Sequence, residues 1–429
     1  MNERPRLFYG WLIVAVSGVG LFLGPPIVVF SFSVFLKPLV EDFHAGRAAV
    51  SFAFSLANTM GALSIPCVGM AIDRFGAKRL VVVSTVVYGL VLCAALWVGS
   101  SLWQLYLFYA LLNIGMTAGA APVPYGVVIS HWFNRYRGLA LGLAMMGIGV
   151  GSVVVPLVAQ RLIAAFGWRS AFAIFGGVVL LVPLPVLTLG LQNDPAERGL
   201  RPDGRERETV SSLPPEVKTG MSWGEIWRSP RFWLLLCIFS LAGASVHGVA
   251  LHMAAIFTDR GASTAQAATA TSLVGAAVLV GRLCSGYLLD QMFAPRVAIL
   301  FYSATALGIA ILCTGVSGSM AFVAAFLAGL GMGAEVESMA YMVSRYFGLA
   351  AFGASYGVAF GAFMISGSAG VLLMGAGYDR FHSYTFPLAS FCVAMVLTTI
   401  LLTRLGQYRY PVDAEPNAAM EPIQVPSSA

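Results

Sequence analysis

The sequence predicts an all-α integral membrane protein with twelve transmembrane helices in two pseudo-symmetric six-helix bundles. Three observations predict this fold: the composition, apolar segments of membrane-spanning length, and a repeat that relates the two halves. Of the 429 residues, 58% are hydrophobic and only 10% are charged. Soluble domains carry about a quarter charged residues. A chain with so few charges cannot cover a water-facing surface, so we expect it to lie in a bilayer.

The apolar segments define twelve spans, each about 20 residues or longer, which is the length needed to cross a bilayer. The segment Met1–Phe8 before them is too short and polar for a cleavable signal peptide, so the first span is predicted to be a transmembrane helix. The predicted spans are 9–36, 48–71, 80–99, 102–130, 138–160, 169–191, 231–257, 266–290, 296–316, 319–345, 352–378 and 383–405.

A polar segment, 192–230, divides the spans into two sets of six. It is rich in Pro, Gly, Arg and Glu, a composition that predicts a partly disordered linker. We therefore expect an N-terminal bundle over 1–191, a C-terminal bundle over 231–408 and a short tail over 409–429.

The distribution of Lys and Arg predicts the orientation in the membrane. With both termini on the same side, 18 of the 25 Lys and Arg residues fall on that side and six on the other. Cytoplasmic loops carry the excess of positive charge, so both termini and the linker are expected in the cytoplasm, with the chain in the inner membrane. The excess includes residues before the first span and in the linker: Arg4, Arg6, Arg205, Arg207 and Lys218.

Arg282 lies in the middle of the eighth span, within the otherwise uncharged segment Ala267–Leu289. A guanidinium stays protonated and is costly at bilayer depth unless it faces a polar cavity or a partner. No acidic residue lies within one helical turn; the neighbours are Val278, Leu279, Ser285 and Gly286. We therefore expect the counter-ion of Arg282 to be an anionic substrate. The alternative is a structural ion pair with Glu335 or Glu337 of another span.

The loop after the second span is repeated after the eighth. Gly69–Arg79 is GMAIDRFGAKR and Gly286–Arg296 is GYLLDQMFAPR, with the same Gly-to-Asp and Asp-to-Arg spacings. The fifth and eleventh spans also share glycine and aromatic positions: Gly138, Gly142 and Phe166 match Gly353, Gly357 and Phe381. Two homologous six-helix halves are typical of transporters that rock about a central site.

The run Gly69–Arg79 resembles the signature G-x-x-x-D-R-x-G-x-K/R-R/K of the major facilitator superfamily, and the resemblance covers essentially the whole chain. It implies the major facilitator fold, and a cytoplasmic latch that breaks and re-forms during transport. The latch residues it implies are Gly69, Asp73, Arg74, Gly76, Lys78 and Arg79, with Asp290 and Arg296 in the second half. The alternative for the basic residues is ordinary positive charge on the cytoplasmic side.

Two further runs resemble the monocarboxylate transporters and the related oxalate/formate exchangers: Phe8–Trp11 (FYGW) and Trp132–Gly142 (WFNRYRGLALG). In that group an arginine of the eighth helix in a G-R-x-x-x-G context holds the substrate carboxylate, and Gly281–Gly286 (GRLCSG) matches that context. The resemblance implies that Arg282 binds substrate.

The sequence departs from this group in three places. Val278 stands where proton-coupled animal members carry an aspartate, and Lys37 lies near the end of the first span instead of its middle. The segment Ala351–Gly377 has no second cation of the kind that a dicarboxylate exchanger uses. One fixed cation suits one carboxylate, so a lactate- or pyruvate-like monocarboxylate is expected. Both proton symport and anion exchange remain open.

Further polar residues inside the spans are candidates for substrate binding or proton coupling. His247 titrates near neutral pH and could carry a proton or bond a substrate hydroxyl; a packing donor is the alternative. Tyr125 follows two prolines whose broken backbone could line a cavity, though its hydroxyl could equally bond a neighbouring helix. Asn113 is a candidate contact to substrate or a bond between helices. Glu335 is a candidate proton carrier, and it cannot share one cavity with Glu337, two residues away.

Other functional classes fit the sequence less well. There is no nucleophile, base or metal motif of an enzyme, and no cofactor, metal ion or nucleic acid is expected as a partner. A channel would not need two homologous halves. A proton-driven drug exporter is the remaining transporter class, but the fifth span lacks its Gly-Pro pair, since Pro156 follows Val155. We expect a monomer whose partners are the bilayer, a small anionic carboxylate and a proton.

Overall fold

The computed structural model describes residues 8–204 and 220–410, which are helical apart from short connections. Arg4, Arg6, Arg205, Arg207 and Lys218 lie outside the described residues, as do the middle of the linker and all but the start of the tail. The helices are α1 Tyr9–Phe22, α2 Phe32–Asp42, α3 Arg47–Phe75, α4 Ala77–Ala94, α5 Leu102–Gly119, α6 Pro122–Trp132, α7 Arg137–Leu181, α8 Pro183–Gly190, α9 Trp223–Arg228, α10 Pro230–Thr258, α11 Thr264–Gln291, α12 Ala294–Cys313, α13 Ser319–Phe347, α14 Phe352–Phe381 and α15 Thr385–Leu402.

Eleven helical segments of the described chain are long and apolar enough to cross a membrane. One of them, Arg137–Gly190, has 54 residues. At about 1.5 Å per residue it would be far longer than the roughly 30 Å of a hydrocarbon core. Gly167 breaks α7, because its φ of 77° and ψ of 166° are non-helical. This segment therefore holds the fifth and sixth predicted spans, and the helices follow the twelve-span pattern.

Two of the predicted spans are broken inside the bundle. A π-helical turn, Pro26–Phe30, separates α1 from α2 in the first span. The fourth span is interrupted at Ala120 and Ala121, where Pro122 begins α6. Proline has no backbone N–H to continue a preceding helix. The break predicted near Tyr125 is therefore present, and it lies among buried residues.

The two halves touch along two helix pairs, α3 with α14 and α7 with α11. A Cβ added at Gly69 would lie 2.0 Å from the Gly353 carbonyl oxygen, and one at Gly138 would lie 2.4 Å from that of Gly286. Only glycine permits such an approach, which explains why the glycines recur in both halves. These contacts lie at the end of the bundle that carries the linker, called the linker end below.

The parts of the linker that the structure describes are folded against the bundle. Met221 N–H donates to the Phe347 carbonyl oxygen at 2.9 Å, and Ser222 and Glu225 form a capping box that starts α9. In these parts of the predicted linker, polar side chains cap helices. Residues 205–219 of the predicted linker lie outside the described residues.

Candidate functional site

Arg282 lies on α11 at the centre of the bundle and is only 9% exposed. Its Nη1 donates to the Met145 carbonyl oxygen of α7 at 2.9 Å, and its Nε lies 3.9 Å from Glu337 Oε1 of α13. The structure therefore contains the ion pair that the sequence left open as the alternative, with Glu337 as the partner. The close approach of α13 at Gly333 brings Glu337, one turn later, to the guanidinium, since a Cβ at Gly333 would lie 2.4 Å from the Val278 carbonyl oxygen.

The ion pair between Arg282 and Glu337 is loose. Among the described residues, Arg282 Nε and both carboxylate oxygens of Glu337 have no hydrogen-bond partner, although all three atoms are buried. Buried polar atoms are nearly always hydrogen-bonded, and those left unpaired often mark functional positions. The Tyr356 hydroxyl of α14 is also buried without a hydrogen-bond partner among these residues. Arg282 Nε is thus an unpaired donor, and the Glu337 oxygens are unpaired acceptors, among the described residues.

Glu335 lies on a different face of α13 from Glu337, as the helical period predicts. Gly331, one turn earlier on the same face, packs against Thr305 and Tyr302 of α12. The Glu335 side chain is buried, and neither oxygen has a hydrogen-bond partner among the described residues. The structure therefore brings Glu337, and not Glu335, into contact with Arg282.

The other candidates are distributed around the bundle. His247 Nδ1 lies 3.1 Å from the Gly243 carbonyl oxygen of its own helix, and its ring packs on Phe363 of α14. The Tyr125 hydroxyl donates to the Gly119 carbonyl oxygen at 2.7 Å across the break between α5 and α6. This hydroxyl also lies against Gly20 of α1, where an added Cβ would be 2.0 Å away. Both side chains therefore have structural contacts within the bundle.

Asn113 is buried on α5 and faces the glycine surface of α3. Its Oδ1 accepts from the Thr117 hydroxyl at 3.2 Å, and a Cβ added at Gly61 would lie 2.0 Å from the same oxygen. The Asn113 amide nitrogen has no hydrogen-bond partner among the described residues. The residue lies between α3 and α5, as expected of an inter-helix contact, and it retains a free donor.

The two aspartates of the repeated loops make equivalent contacts across the halves. The Asp73 carboxylate accepts from the backbone N–H groups of Gly353 and Ala354 at 2.9 and 2.8 Å. The Asp290 carboxylate accepts from those of Gly138 and Leu139 at 2.7 and 2.8 Å. Each carboxylate therefore caps the first turn of a helix in the opposite half, where the helix dipole favours a negative charge.

The basic residues of the repeated loops lie at the same end. Arg74 lies over the Phe75 ring, 5.2 Å from its centroid, and Lys78 Nζ donates to Gln192 Oε1 at 3.4 Å. Gly76 has a φ of 83°, a left-handed conformation that lets the chain turn between α3 and α4. Arg79 and Arg296 are exposed. The two aspartates therefore bond across the halves, whereas these contacts of Arg74 and Lys78 lie within the N-terminal half and the start of the linker.

Asp73→Asn is expected to slow transport severalfold and to leave the apparent substrate affinity nearly unchanged. The amide keeps the shape but loses the charge that holds the first turn of α14, whereas a midplane site lies about 15 Å away. The initial rate of uptake into proteoliposomes over a range of substrate concentrations gives both quantities. Asp290→Asn is the matched variant and should behave alike. A large loss of affinity at unchanged turnover would place Asp73 in binding.

Sequence reasoning missed a second set of contacts between the halves at the linker end. Arg137 Nη1 donates to Ser344 Oγ at 2.7 Å, and the Arg345 guanidinium donates to the side chain and the carbonyl oxygen of Asn134. Both arginines are buried. The signal was present, because the run Ser130–Asn134 (SHWFN) and the run Ser344–Gly348 (SRYFG) occupy equivalent positions in the two halves. These contacts keep the two halves together at this end.

A family model described as Major Facilitator Superfamily matches residues 11–371 and also 237–425. The chain is 27% identical over 344 residues to YhjX, an uncharacterized MFS-type transporter of Escherichia coli (strain K12), covering 79% of this chain and 81% of that protein. It is 25% identical over 421 residues to monocarboxylate transporter 12 of Rattus norvegicus, covering 92% of this chain and 85% of that protein. It is 28% identical over 313 residues to monocarboxylate transporter 11 of Mus musculus, covering 70% of this chain and 64% of that protein.

Solved structures with the same fold include two sugar symporters. The proton:xylose symporter XylE aligns with a TM-score of 0.70 at 15% identity, covering 94% of this chain and 97% of that one. FucP in the outward conformation aligns with a TM-score of 0.68 at 15% identity, covering 92% and 98%. At this identity the likeness shows the fold alone. With a family model that spans most of the chain, the conclusion is that the chain belongs to the Major Facilitator Superfamily and is a multi-pass membrane transporter, not an enzyme.

Proposed function

We propose that this protein carries a small monocarboxylate, of the lactate or pyruvate type, across the membrane by alternating access and together with a proton. The observation that carries the proposal is the loose pairing of Arg282. Its guanidinium is buried, and its Nε is 3.9 Å from Glu337 and has no hydrogen bond among the described residues. A carboxylate ligand would complete these bonds in a bidentate arrangement, which is the strongest pairing open to arginine. The similarity to monocarboxylate transporters 11 and 12 supports the same substrate class.

The proton follows from the presence of Glu337. While Glu337 is ionised it neutralises Arg282, and a substrate carboxylate brought to the same guanidinium would add a second negative charge. Protonation of Glu337 removes this repulsion and releases Arg282 to bind the substrate. The empty site, with ionised Glu337, and the loaded site, with protonated Glu337 and the substrate carboxylate, are then both neutral. In both forms the charge of Arg282 is balanced while the protein changes conformation. Glu337 thus supplies the acid that proton-coupled relatives carry at the position of Val278.

The position of the chain in the membrane is part of the proposal. The excess of Lys and Arg supports a cytoplasmic location for the linker end and both termini, in the inner membrane. The proposed units are the bundle 1–191, the linker 192–230, the bundle 231–408 and the tail 409–429. Function as a monomer is also part of the proposal.

Uptake by reconstituted protein tests the substrate class. We expect labelled lactate and pyruvate to enter proteoliposomes, and the rate to rise when the outside is made more acidic than the lumen. Oxalate needs a second cation, and α14 offers none before Arg380 in its last turn, so we expect oxalate to enter more slowly. Oxalate uptake that depends on internal formate and not on the pH gradient would replace the proposal by anion exchange.

His247 and Glu335 remain predicted proton carriers besides Glu337. The test is the alkalinisation outside vesicles that accompanies lactate entry, measured for His247→Gln and Glu335→Gln. Because Glu337 is the acid that pairs with Arg282, we expect each single variant to retain at least about half of the wild-type signal. Loss of the signal in one of them, with lactate exchange preserved, would make that residue the carrier in place of Glu337.

A further inference from the structure

The start of the linker, Gln192–Gly204, is called the strap below, and its first contact with the bundle is repeated in the second half. Trp132 Nε1, at the end of α6, donates to the carbonyl oxygen of Gln192 at 3.0 Å. The Tyr346 hydroxyl, at the end of α13, donates to the Gly406 carbonyl oxygen at 2.7 Å. In each half the acceptor follows the donor by 60 residues. The chain that leaves each half therefore docks on the same helix end in both.

The strap makes two more contacts with the N-terminal half. Asn193 Oδ1 accepts from the Lys78 backbone N–H at 2.7 Å, which caps the first turn of α4. The Arg198 guanidinium lies 3.7 Å from the centroid of the Tyr9 ring, a cation–π contact with the start of α1. The strap is therefore held on the linker-end surface of this half by side chains of its own.

Asp203, near the end of the strap, reaches the turn that precedes α7. Its two carboxylate oxygens each accept from the Asn134 backbone N–H at 3.2 Å, and Oδ2 accepts from the Arg135 N–H at 2.9 Å. Asp203 therefore binds the turn before α7, whereas Asp290 of the C-terminal half caps the first turn of α7 itself. Asp203 has a φ of 61°, in the left-handed region that aspartate tolerates better than most residues. A residue held in this strained conformation indicates a backbone fixed by its contacts.

The turn that Asp203 binds also forms hydrogen bonds with the C-terminal half. Asn134 accepts from the Arg345 guanidinium, and Arg137, the first residue of α7, donates to Ser344 Oγ at 2.7 Å. Both partners, Arg345 and Ser344, belong to α13 and would leave the turn when the halves separate at this end. Asp203 would stay with the N-terminal half.

We propose that Asp203 is a positioning residue of the gate at the linker end. It holds the turn before α7 in the conformation that Arg345 and Ser344 bind, so the strap stabilises the state in which the two halves are closed at that end. The inference rests on the transporter class of the chain and not on the nature of its substrate. Distance measurements without substrate therefore test it independently of the proposed carboxylate transport.

The experiment uses spin labels at Leu189→Cys and Gln291→Cys, with the six native cysteines replaced. Leu189 is 78% exposed at the linker end of the N-terminal half, and Gln291 is exposed at the linker end of the C-terminal half. Pulsed electron paramagnetic resonance of the reconstituted full chain gives the distances between the labels. A pair at Leu189→Cys and Val83→Cys, both in the N-terminal half, reports any general distortion.

Asp203→Asn is expected to raise the ratio of long to short distances in the first pair by about tenfold, the effect of losing one charged hydrogen bond. The second pair should not change. Asp203→Glu, which keeps the charge, should restore part of the short-distance population. Asp194→Asn is the matched control, because Asp194 lies in the strap and, among the described residues, its carboxylate accepts from the Ala196 backbone N–H, at 3.3 Å. It should behave as the wild type.

Two results would overturn the proposal. One is an unchanged distribution in Asp203→Asn under conditions in which Asp73→Asn lengthens the distances between the halves. The other is a distance change that is not specific to Asp203. Equal lengthening in Asp203→Asn and Asp194→Asn would show a general loosening of the strap, and a changed distance in the pair within one half would show a distorted bundle. Since Asp203 lies outside the spans, both of its variants should insert and elute as the wild type does.

Discussion

Arg282→Lys is expected to insert normally and to lose most lactate transport, with kcat/KM lower by about 10- to 100-fold. Lysine keeps the charge, but it cannot present two parallel N–H groups to a carboxylate. A lost charged hydrogen bond of about 1.5–3 kcal/mol corresponds to this range. Initial rates of labelled lactate uptake into proteoliposomes, normalised to the inserted protein, give the ratio.

The control for this variant is Arg161→Lys, which changes an exposed arginine of α7 and should transport as the wild type does. Wild-type uptake by Arg282→Lys would show that bidentate binding at this position is unnecessary. Loss of inserted protein in Arg282→Lys alone would instead assign the arginine to the structural bond with the Met145 carbonyl oxygen.

Glu337→Gln is expected to separate lactate exchange from proton-driven uptake. The amide cannot neutralise Arg282, so the empty carrier would have to change conformation with an uncompensated buried charge, which is costly. During lactate-for-lactate exchange, lactate is bound whenever the carrier changes conformation, and its carboxylate neutralises Arg282. We therefore expect lactate-for-lactate exchange to persist at about the wild-type rate, and net uptake driven by a pH gradient to fall at least tenfold.

Glu335→Gln is the matched control, because Glu335 is equally buried on the same helix, and Gly331, one turn before it, packs against Tyr302 and Thr305. It should retain both exchange and net uptake. Equal loss of the two activities in Glu337→Gln would assign Glu337 to binding or to folding instead of to coupling. Undiminished proton-driven uptake in the same variant would remove Glu337 from the proton route.

The fold could be predicted from the sequence because its determinants are local. The length of an apolar run sets whether a helix crosses the membrane, and most predicted spans coincide with helices to within a few residues. The fifth and sixth spans show the limit. The sequence predicted a gap after residue 160, whereas the helix continues to Gly167 and breaks only there. Hydropathy reports where apolar residues lie and does not report which single backbone conformation ends the helix.

The candidate site was predicted in part, for a related reason. The charge within an apolar span identified Arg282, and Glu335 and Glu337 were both named as possible partners. No spacing along the chain shows which of the two lies beside Arg282. The contact between Glu337 and Arg282 depends on Gly333, because this glycine lets α13 approach α11 closely. The strap was missed in the same way. Its composition predicts disorder, whereas the structure shows Asn193 and Asp203 capping α4 and the turn before α7.

Equilibrium binding of lactate and of lactamide to the purified protein tests the central claim that Arg282 holds a substrate carboxylate. The two ligands match in size and in their hydroxyl group, and only lactate carries a negative charge. The account predicts that the wild type binds lactate at least tenfold more tightly than lactamide, and that Arg282→Lys loses most of this preference. Equal binding of the two ligands by the wild type, or an undiminished preference in Arg282→Lys, would contradict it.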